Sequence, residues 1–149
     1  MKRLIQSAAF VFALLPLAVS AGTDIVKKRS SASVQETMDR IEAVVKEKGM
    51  TVFARIDHKA NAASVRMSMN DAQVLIFGSP KAGTRIMLHD IMAGLDLPLK
   101  VYVYRDHDQK TWVVYRNPQS LKKHFNVEEC VTIDKVEAGI GKLTDQALQ

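Results

Sequence analysis

Residues 74–85 read VLIFGSPKAGTR, a short apolar run that leads directly into a turn containing glycine, serine, proline and lysine. Three of the four apolar residues are β-branched or aromatic, so the run predicts a strand that is covered on both faces and lies centrally in a sheet. Gly78 and Gly83 allow a positive φ, while Pro80 fixes φ and lacks an N–H group. The chain is therefore expected to reverse direction here.

The residues after the turn predict a corner that can hold an anion. Thr84 is expected to cap a helix that begins at Arg85, which leaves free backbone N–H groups near Lys81 and Arg85. A plain strand-to-helix connection with a solvated lysine remains the alternative, because turn residues usually serve geometry. The stretch lacks the G-x-x-x-x-G-K-[ST] spacing, which argues against a nucleotide-binding P-loop.

The first residues resemble a secretory signal. Two basic residues precede an apolar run over residues 4–19, and small residues occupy positions 19–21. This order predicts a signal peptide over residues 1–21, a mature protein that begins at Gly22, and a periplasmic location. A retained membrane anchor is the alternative, although polar residues and a proline interrupt the run. No later stretch is long and apolar enough to predict a transmembrane anchor after cleavage.

Composition limits the domain count and the partners. Residues 22–149 are long enough for one domain with a real core and too short for two. The chain has 21 basic and 16 acidic residues, and removing Lys2 and Arg3 with the signal leaves 19 basic residues, a net charge of +3. That modest charge indicates no nucleic-acid partner, and no cofactor fingerprint is present. The single cysteine, Cys130, lies among apolar neighbours and is interpreted as a buried, inert thiol.

Local patterns predict the other elements. A basic edge strand is expected over residues 25–30, and a capping box at Ser33 and Glu36 predicts a helix that stops at Gly49. Further elements are a strand over 51–57, a short helix within 59–67, a helical segment ending near Gly94, a hairpin of strands 99–105 and 111–116, a helix over 119–125 and a terminal helix from about residue 133. Together they predict a single compact α+β domain, with a mixed or antiparallel sheet of about five strands packed against helices.

Three groups of residues suggest chemistry. Asp57 and His58 end a predicted strand, where loops often carry function, although a capping or surface role is the simpler interpretation. The hairpin loop reads Asp106-His107-Asp108, but three consecutive turn residues point apart and make a poor metal site. The aromatic residues of the predicted hairpin are Tyr102, Tyr104, Trp112 and Tyr115. They could stack on nucleic-acid bases, yet the predicted export and the low net charge favour packing in the core and at its rim.

The order and spacing of several segments resemble the domain-of-unknown-function 302 family. These segments are Phe53 to His58, Leu75 to Thr84, Leu95 to Val101, Trp112 to Tyr115 and Asn117-Pro118. The resemblance runs from about Thr23 into the terminal helix, and it implies a compact α+β domain that associates as a dimer, with no established reaction. Ser79 stands where the family often has asparagine, and Gln109 stands where glycine would ease the hairpin turn.

The preferred hypothesis is an exported, dimeric module that binds a small anionic ligand or a periplasmic protein partner. Its predicted ligand-binding residues are Asp57, His58, Phe77, Gly78, Ser79, Pro80, Lys81, Gly83, Thr84 and Arg85. One alternative is a hydrolase- or isomerase-like enzyme in which His58 is an acid or base and Lys81 stabilises charge. The other is a metal carrier that would use methionines and some of His58, His89, His107 and His124, although HxxxH and CxxC spacings do not occur.

Overall fold

The computed structural model describes residues 24–149, so the predicted signal peptide over 1–21 and the predicted start at Gly22 lie outside the described residues. The elements are β1 (Ile25–Ser30), α1 (Val34–Glu47), β2 (Thr51–Asp57), α2 (His58–Ser64), β3 (Ala72–Gly78), α3 (Pro80–Met87), β4 (Leu99–Arg105), β5 (Thr111–Arg116) and α4 (Val131–Ala147). Two 3₁₀ helices, Ile91–Leu95 and Pro118–Lys123, join α3 to β4 and β5 to α4.

The five strands form one antiparallel sheet in the order β1-β5-β4-β3-β2. This confirms the predicted α+β class and the predicted number of strands. The basic strand β1 lies at an edge, as its lysines suggested. The middle strand of the sheet is β4, and residues 74–77 lie in β3, which pairs with a strand on each side, so the predicted central rather than edge position of this run is confirmed. Strand β3 lies between β4 and the edge strand β2.

Helix α1 begins and ends as its local signals predict. The Glu36 backbone N–H donates to Ser33 Oγ at 3.2 Å, and the Ser33 N–H donates to Glu36 Oε2 at 3.0 Å. These two bonds satisfy N–H groups that a helix start leaves free. Gly49 follows the helix with φ of 68°, a conformation that glycine adopts at no steric penalty.

Helices α1 and α4 cover one face of the sheet and form the main core with it. The largest fully buried side chains of this core are Met38, Ile41, Val45, Leu75, Phe77, Val101, Val103, Val113 and Leu143. Alternate residues of β3 point the other way, and Val74 and Ile76 are only half-buried. The prediction that β3 is covered on both faces is therefore wrong, because α1 and α4 both pack on the side of Leu75 and Phe77.

A smaller core joins α3 to the start of α4. Its buried members are Ile86, Ala93, Leu121, Phe125, Val127, Cys130 and Ile133. Cys130 is 2% exposed, which confirms the predicted buried thiol. The helix expected over residues 119–125 is instead the 3₁₀ helix Pro118–Lys123, capped by Asn117 Oδ1 as the Asn-Pro pair predicted. This cluster fixes α3 beside α4 at the end of the sheet.

Candidate functional site

Helix α3 begins immediately after β3, five residues earlier than the sequence suggested. Ser79 is its N-cap, and the Ala82 N–H donates to Ser79 Oγ at 3.3 Å. Pro80 occupies the first helical turn, where its missing N–H is not needed. The prediction that Thr84 caps a helix starting at Arg85 is therefore wrong, and Thr84 lies inside α3. The expected positive φ at Gly78 and Gly83 is also not observed.

The two glycines Gly49 and Gly83 should respond oppositely to alanine. A Cβ at Gly83 would contact nothing within 4 Å, and the residue is helical, so Gly83→Ala should raise the free energy of unfolding by up to about 1 kcal/mol. Gly49 has φ of 68°, so Gly49→Ala should lower it by about 1 kcal/mol. Urea denaturation measures both. A destabilised Gly83→Ala protein would contradict the helical placement.

A cavity of about 410 Å³ opens between α3, α4 and the ends of β3 and β4. Buried or half-buried apolar side chains line its interior: Met50, Phe77, Leu99, Val136, Ile140 and Leu143. Four exposed basic residues surround them, namely Lys48, Lys81, Arg85 and Lys135. We call this cavity the cationic pocket. Its described lining contains no aspartate or glutamate.

The four basic residues come from three separate elements. Lys48 caps the C-terminus of α1, Lys81 and Arg85 lie four residues apart on α3, and Lys135 lies on α4. Within residues 24–149, none of the four forms an ion pair. Like charges that line one cavity repel one another, so an anion bound between them would relieve the repulsion.

The structure gathers most of the sequence-predicted site residues at this end of the sheet. Five of them line the cationic pocket: Phe77, Gly78, Ser79, Lys81 and Arg85. Three others line a second cavity beside it: Pro80, Gly83 and Thr84. Sequence reasoning missed Lys48 and Lys135. The only signal in the sequence was that each is a lysine on the polar side of a predicted helix, and such lysines are usually solvated. The two lysines come together only because of the way α1 and α4 pack.

Asp57 and His58 lie at the opposite end of the sheet from Lys81. Strands β2 and β3 are antiparallel, with Thr51 paired to Gly78 and Asp57 paired to Gln73. Asp57 Oδ1 caps α2 by accepting from the Ala60 N–H at 3.0 Å. The His58 ring makes an edge contact with Tyr102 at 5.9 Å between centroids. The structure thus separates these two residues from the rest of the predicted site.

The uncovered face of the sheet carries three of the four hairpin aromatics. The Tyr102 and Tyr104 rings stack at 5.4 Å, and Lys27 Nζ lies 4.0 Å from the centre of the Trp112 ring. Burial raises the pKa of Tyr102, and the neighbouring Tyr104 adds to the effect. Among the four aromatics, only Tyr115 belongs to the main core, so core packing holds for Tyr115 alone.

The hairpin loop around Asp106 is held by its own hydrogen bonds. Asp106 Oδ1 accepts from the Lys110 N–H at 2.8 Å, and Oδ2 accepts from Trp112 Nε1 at 2.6 Å. The bond from Trp112 is the main reason why the pKa of Asp106 lies below its usual value. Gln109 takes φ of 61°, the conformation for which glycine was expected to be easier. Over residues 24–149, no group of three or more His, Cys, Asp or Glu residues is placed to hold a metal ion.

The family model described as Domain of unknown function DUF302 matches residues 26–147. The chain belongs to the DUF302 family. Its fold agrees with the crystal structure of an uncharacterized conserved DUF302 protein from Bacillus stearothermophilus, with a TM-score of 0.67 and 19% identity. That similarity covers 85% of this chain and 96% of the other.

This DUF302 domain is also similar to part of two longer curated proteins. It is 31% identical over 144 residues to proteins named Fluoride-specific ion channel FluC 1 from Brucella suis biovar 1 (strain 1330) and Brucella abortus biovar 1 (strain 9-941). The match covers 95% of this chain but only 57% and 53% of those proteins. The chain therefore spans about half the length of these relatives. Its described helices, over residues 24–149, include none that is both long and apolar enough to cross a membrane.

Proposed function

We propose that this protein is an exported, dimeric binding module that holds a small organic anion in the cationic pocket. One observation supports the binding role above the others. Four basic residues without ion-pair partners in the described chain surround an apolar cavity whose described lining has no carboxylate. A carboxylate or phosphate group would neutralise the basic residues, and an attached apolar group would fill the interior.

The chemistry of the pocket favours recognition without a reaction. Arginine forms two parallel hydrogen bonds to a carboxylate or phosphate, and lysine adds a mobile point charge. Hydrogen bonds to charged groups contribute about 1.5–3 kcal/mol each. The described residues that line the cationic pocket include no cysteine or histidine. The one serine among them, Ser79, already accepts a hydrogen bond from the Ala82 N–H as a helix cap.

Calorimetric titration with butanoate and inorganic phosphate tests the proposal. Fluoride joins the panel because the curated relatives are named fluoride-specific ion channels. We expect butanoate or phosphate to bind, and the double variant Arg85→Gln with Lys135→Gln to weaken binding by about a hundredfold, since two charge-assisted bonds are lost. Lys142→Gln is the matched control, because Lys142 is exposed on α4 and does not line the pocket. Equal affinity of the double variant and the control would contradict the proposal.

Geometry disfavours an enzyme that uses His58 and Lys81 together. The register of β2 and β3 places these residues at opposite ends of a seven-residue strand pair, a separation of about 20 Å at ~3.3 Å per residue. A general acid or base must lie within hydrogen-bond reach of the reacting group. The described residues also contain no group of three or more potential metal ligands that would support a metal carrier. Anion binding therefore remains the better-supported function.

We propose that the dimer buries an exposed apolar strip after α3, formed by Leu88, Ile91, Met92 and Leu95. These side chains are 66–80% exposed, and four such residues within eight positions exceed what isolated surface residues present. An apolar strip can pack against its own copy across a twofold axis without unpaired charge. Leu88→Gln with Leu95→Gln should therefore shift the protein from dimer to monomer in sedimentation velocity.

The control for the dimer experiment is Val65→Gln. Val65 is 64% exposed and follows α2 at the other end of the sheet. It matches the strip residues in exposure and polarity change but lies outside the proposed interface. A monomeric wild-type protein, or a dimer that survives both strip substitutions, would exclude this interface.

A further inference from the structure

A second cavity of about 300 Å³ adjoins the cationic pocket on the other side of the β3 to α3 connection. The two cavities share five lining residues: Gly78, Ser79, Ala82, Leu99 and Val136. Each cavity alone is at the small end of the range for ligand sites, about 300–1,000 Å³, and the pair lies well within it. The shared lining residues place the two cavities directly beside each other.

The second cavity differs sharply from the first in chemistry. Its described lining includes no charged residue, and apart from Ser79 and Thr84 the side chains are apolar. The residues that belong to this cavity alone include Phe53, Ile86, Met87, Leu97 and Pro98. Phe53 is 53% exposed, so a ligand that covered its ring would remove apolar surface from water. We call it the apolar cavity.

From these features we infer that the two cavities form one site for a single-chain amphiphile. An anionic head group, a carboxylate or a phosphate, lies among the basic residues of the cationic pocket. An unbranched alkyl chain continues past Ser79 and Ala82 into the apolar cavity. This inference rests on the proposed function for the position of the head group, and it adds the class of ligand.

Each simpler ligand leaves one half of the site unsatisfied. A bare anion would neutralise the basic residues but leave the apolar side chains of both cavities in contact with water. A purely apolar molecule would cover those side chains but leave four basic residues without a counter-charge. An amphiphile satisfies both requirements, because its charged head group can lie in the cationic pocket while its alkyl chain lies in the adjoining apolar cavity.

A chain-length series measures whether the apolar cavity binds the alkyl chain. The ligands are butanoate, hexanoate, octanoate and decanoate, with decyl phosphate to compare the two head groups and inorganic phosphate as a head group without a chain. Burying a methylene contributes about 0.8 kcal/mol, so affinity should rise by about fourfold for each methylene that enters the apolar cavity. The relative affinities of decanoate and decyl phosphate identify the preferred head group.

Gly83 offers a selective way to block the chain. Gly83 lines the apolar cavity but not the cationic pocket, and a Cβ there meets open space. Gly83→Leu should therefore fill part of the apolar cavity and exclude about two methylenes of the decanoate chain from it, which should reduce decanoate affinity at least about tenfold. The affinity for butanoate, whose chain is too short to reach this cavity, should stay within about twofold. Gly83→Ala is the matched control and should retain most of the chain-length dependence. Thermal denaturation checks that both variants are folded.

The outcomes separate this inference from the proposed function. Equal affinities for butanoate and decanoate in the wild-type protein, or decanoate binding that Gly83→Leu leaves unchanged, would overturn the amphiphile site while the anion site stands. Failure of every carboxylate and phosphate to bind would overturn both. In the double variant Arg85→Gln with Lys135→Gln, the affinities for all carboxylates should fall by the same factor while the dependence on chain length persists. This result would support the head group in the cationic pocket and the chain in the apolar cavity.

Discussion

Leu75→Ala should lower the free energy of unfolding by about 3 kcal/mol. Leu75 is fully buried in β3 and packs in the main core beneath the helices. Removal of its side chain loses the transfer free energy of the buried methyl and methylene groups and leaves a cavity, and such changes typically destabilise a protein by about 2–5 kcal/mol. Urea denaturation at neutral pH measures the loss.

The neighbouring residue Val74 provides the control for Leu75. Val74 points to the uncovered face of the same strand and is only half-buried. Val74→Ala should therefore lower the free energy of unfolding by less than about 1 kcal/mol. Equal losses in the two variants would show that the second face is packed as tightly as the helical face.

Arg55→Met should destabilise the protein by about 2 kcal/mol through a polar network between β2 and α1. Arg55 Nη1 donates to Asp39 Oδ1 at 2.6 Å and to Glu42 Oε2 at 3.0 Å. Arg55 Nε and Nη2 both donate to Oε1 of Gln73, which is 6% exposed. Methionine preserves the apolar stem but leaves this buried oxygen without its donors, a loss of about 1–3 kcal/mol.

The same substitution should also change the pH dependence of stability. Hydrogen bonding to Arg55 lowers the pKa of Asp39, and bonds from Lys46 first and Arg55 second lower the pKa of Glu42. A carboxyl group with a lowered folded-state pKa stabilises the protein above its unfolded-state pKa, about 4, and loses that contribution as the pH falls. Wild-type stability should therefore fall more steeply than that of Arg55→Met below about pH 5.

Lys46→Met is the control for this network. It removes the exposed partner of Glu42 but leaves Gln73 and Asp39 paired with Arg55. It should reduce stability by less than about 1 kcal/mol at neutral pH, because an exposed ion pair contributes little. Parallel stability-pH curves for the wild type and Arg55→Met would contradict the role given to the network.

Elements with strong local signals could be predicted from the sequence. The capping box at Ser33 and Glu36, the glycine stop at Gly49 and the hairpin of β4 and β5 are where the patterns placed them. In each case the decisive interactions join residues close in the sequence. The five-stranded α+β arrangement followed from the number and spacing of such segments, and the DUF302 match agrees with it.

The start of α3 was mispredicted because two local signals competed. Ser79 followed by Pro80 and Thr84 followed by Arg85 both fit a helix start by residue type. The earlier start occurs in a fold where Ile86 is buried with Ala93 and Ile133, which requires a helix running from the end of β3 to that cluster. Tertiary packing thus decided between two helix starts that were both acceptable by residue type.

By itself the sequence determined the fold class, most element positions and the basic segment that contributes Lys81 and Arg85. The tertiary structure alone decided that Lys48 and Lys135 join them and that Asp57 and His58 lie elsewhere. It also decided which face of β3 is covered. The physical reason is the range of the interactions: caps, turns and alternation act over a few residues, whereas the cationic pocket depends on how α1, α3 and α4 pack around the end of the sheet.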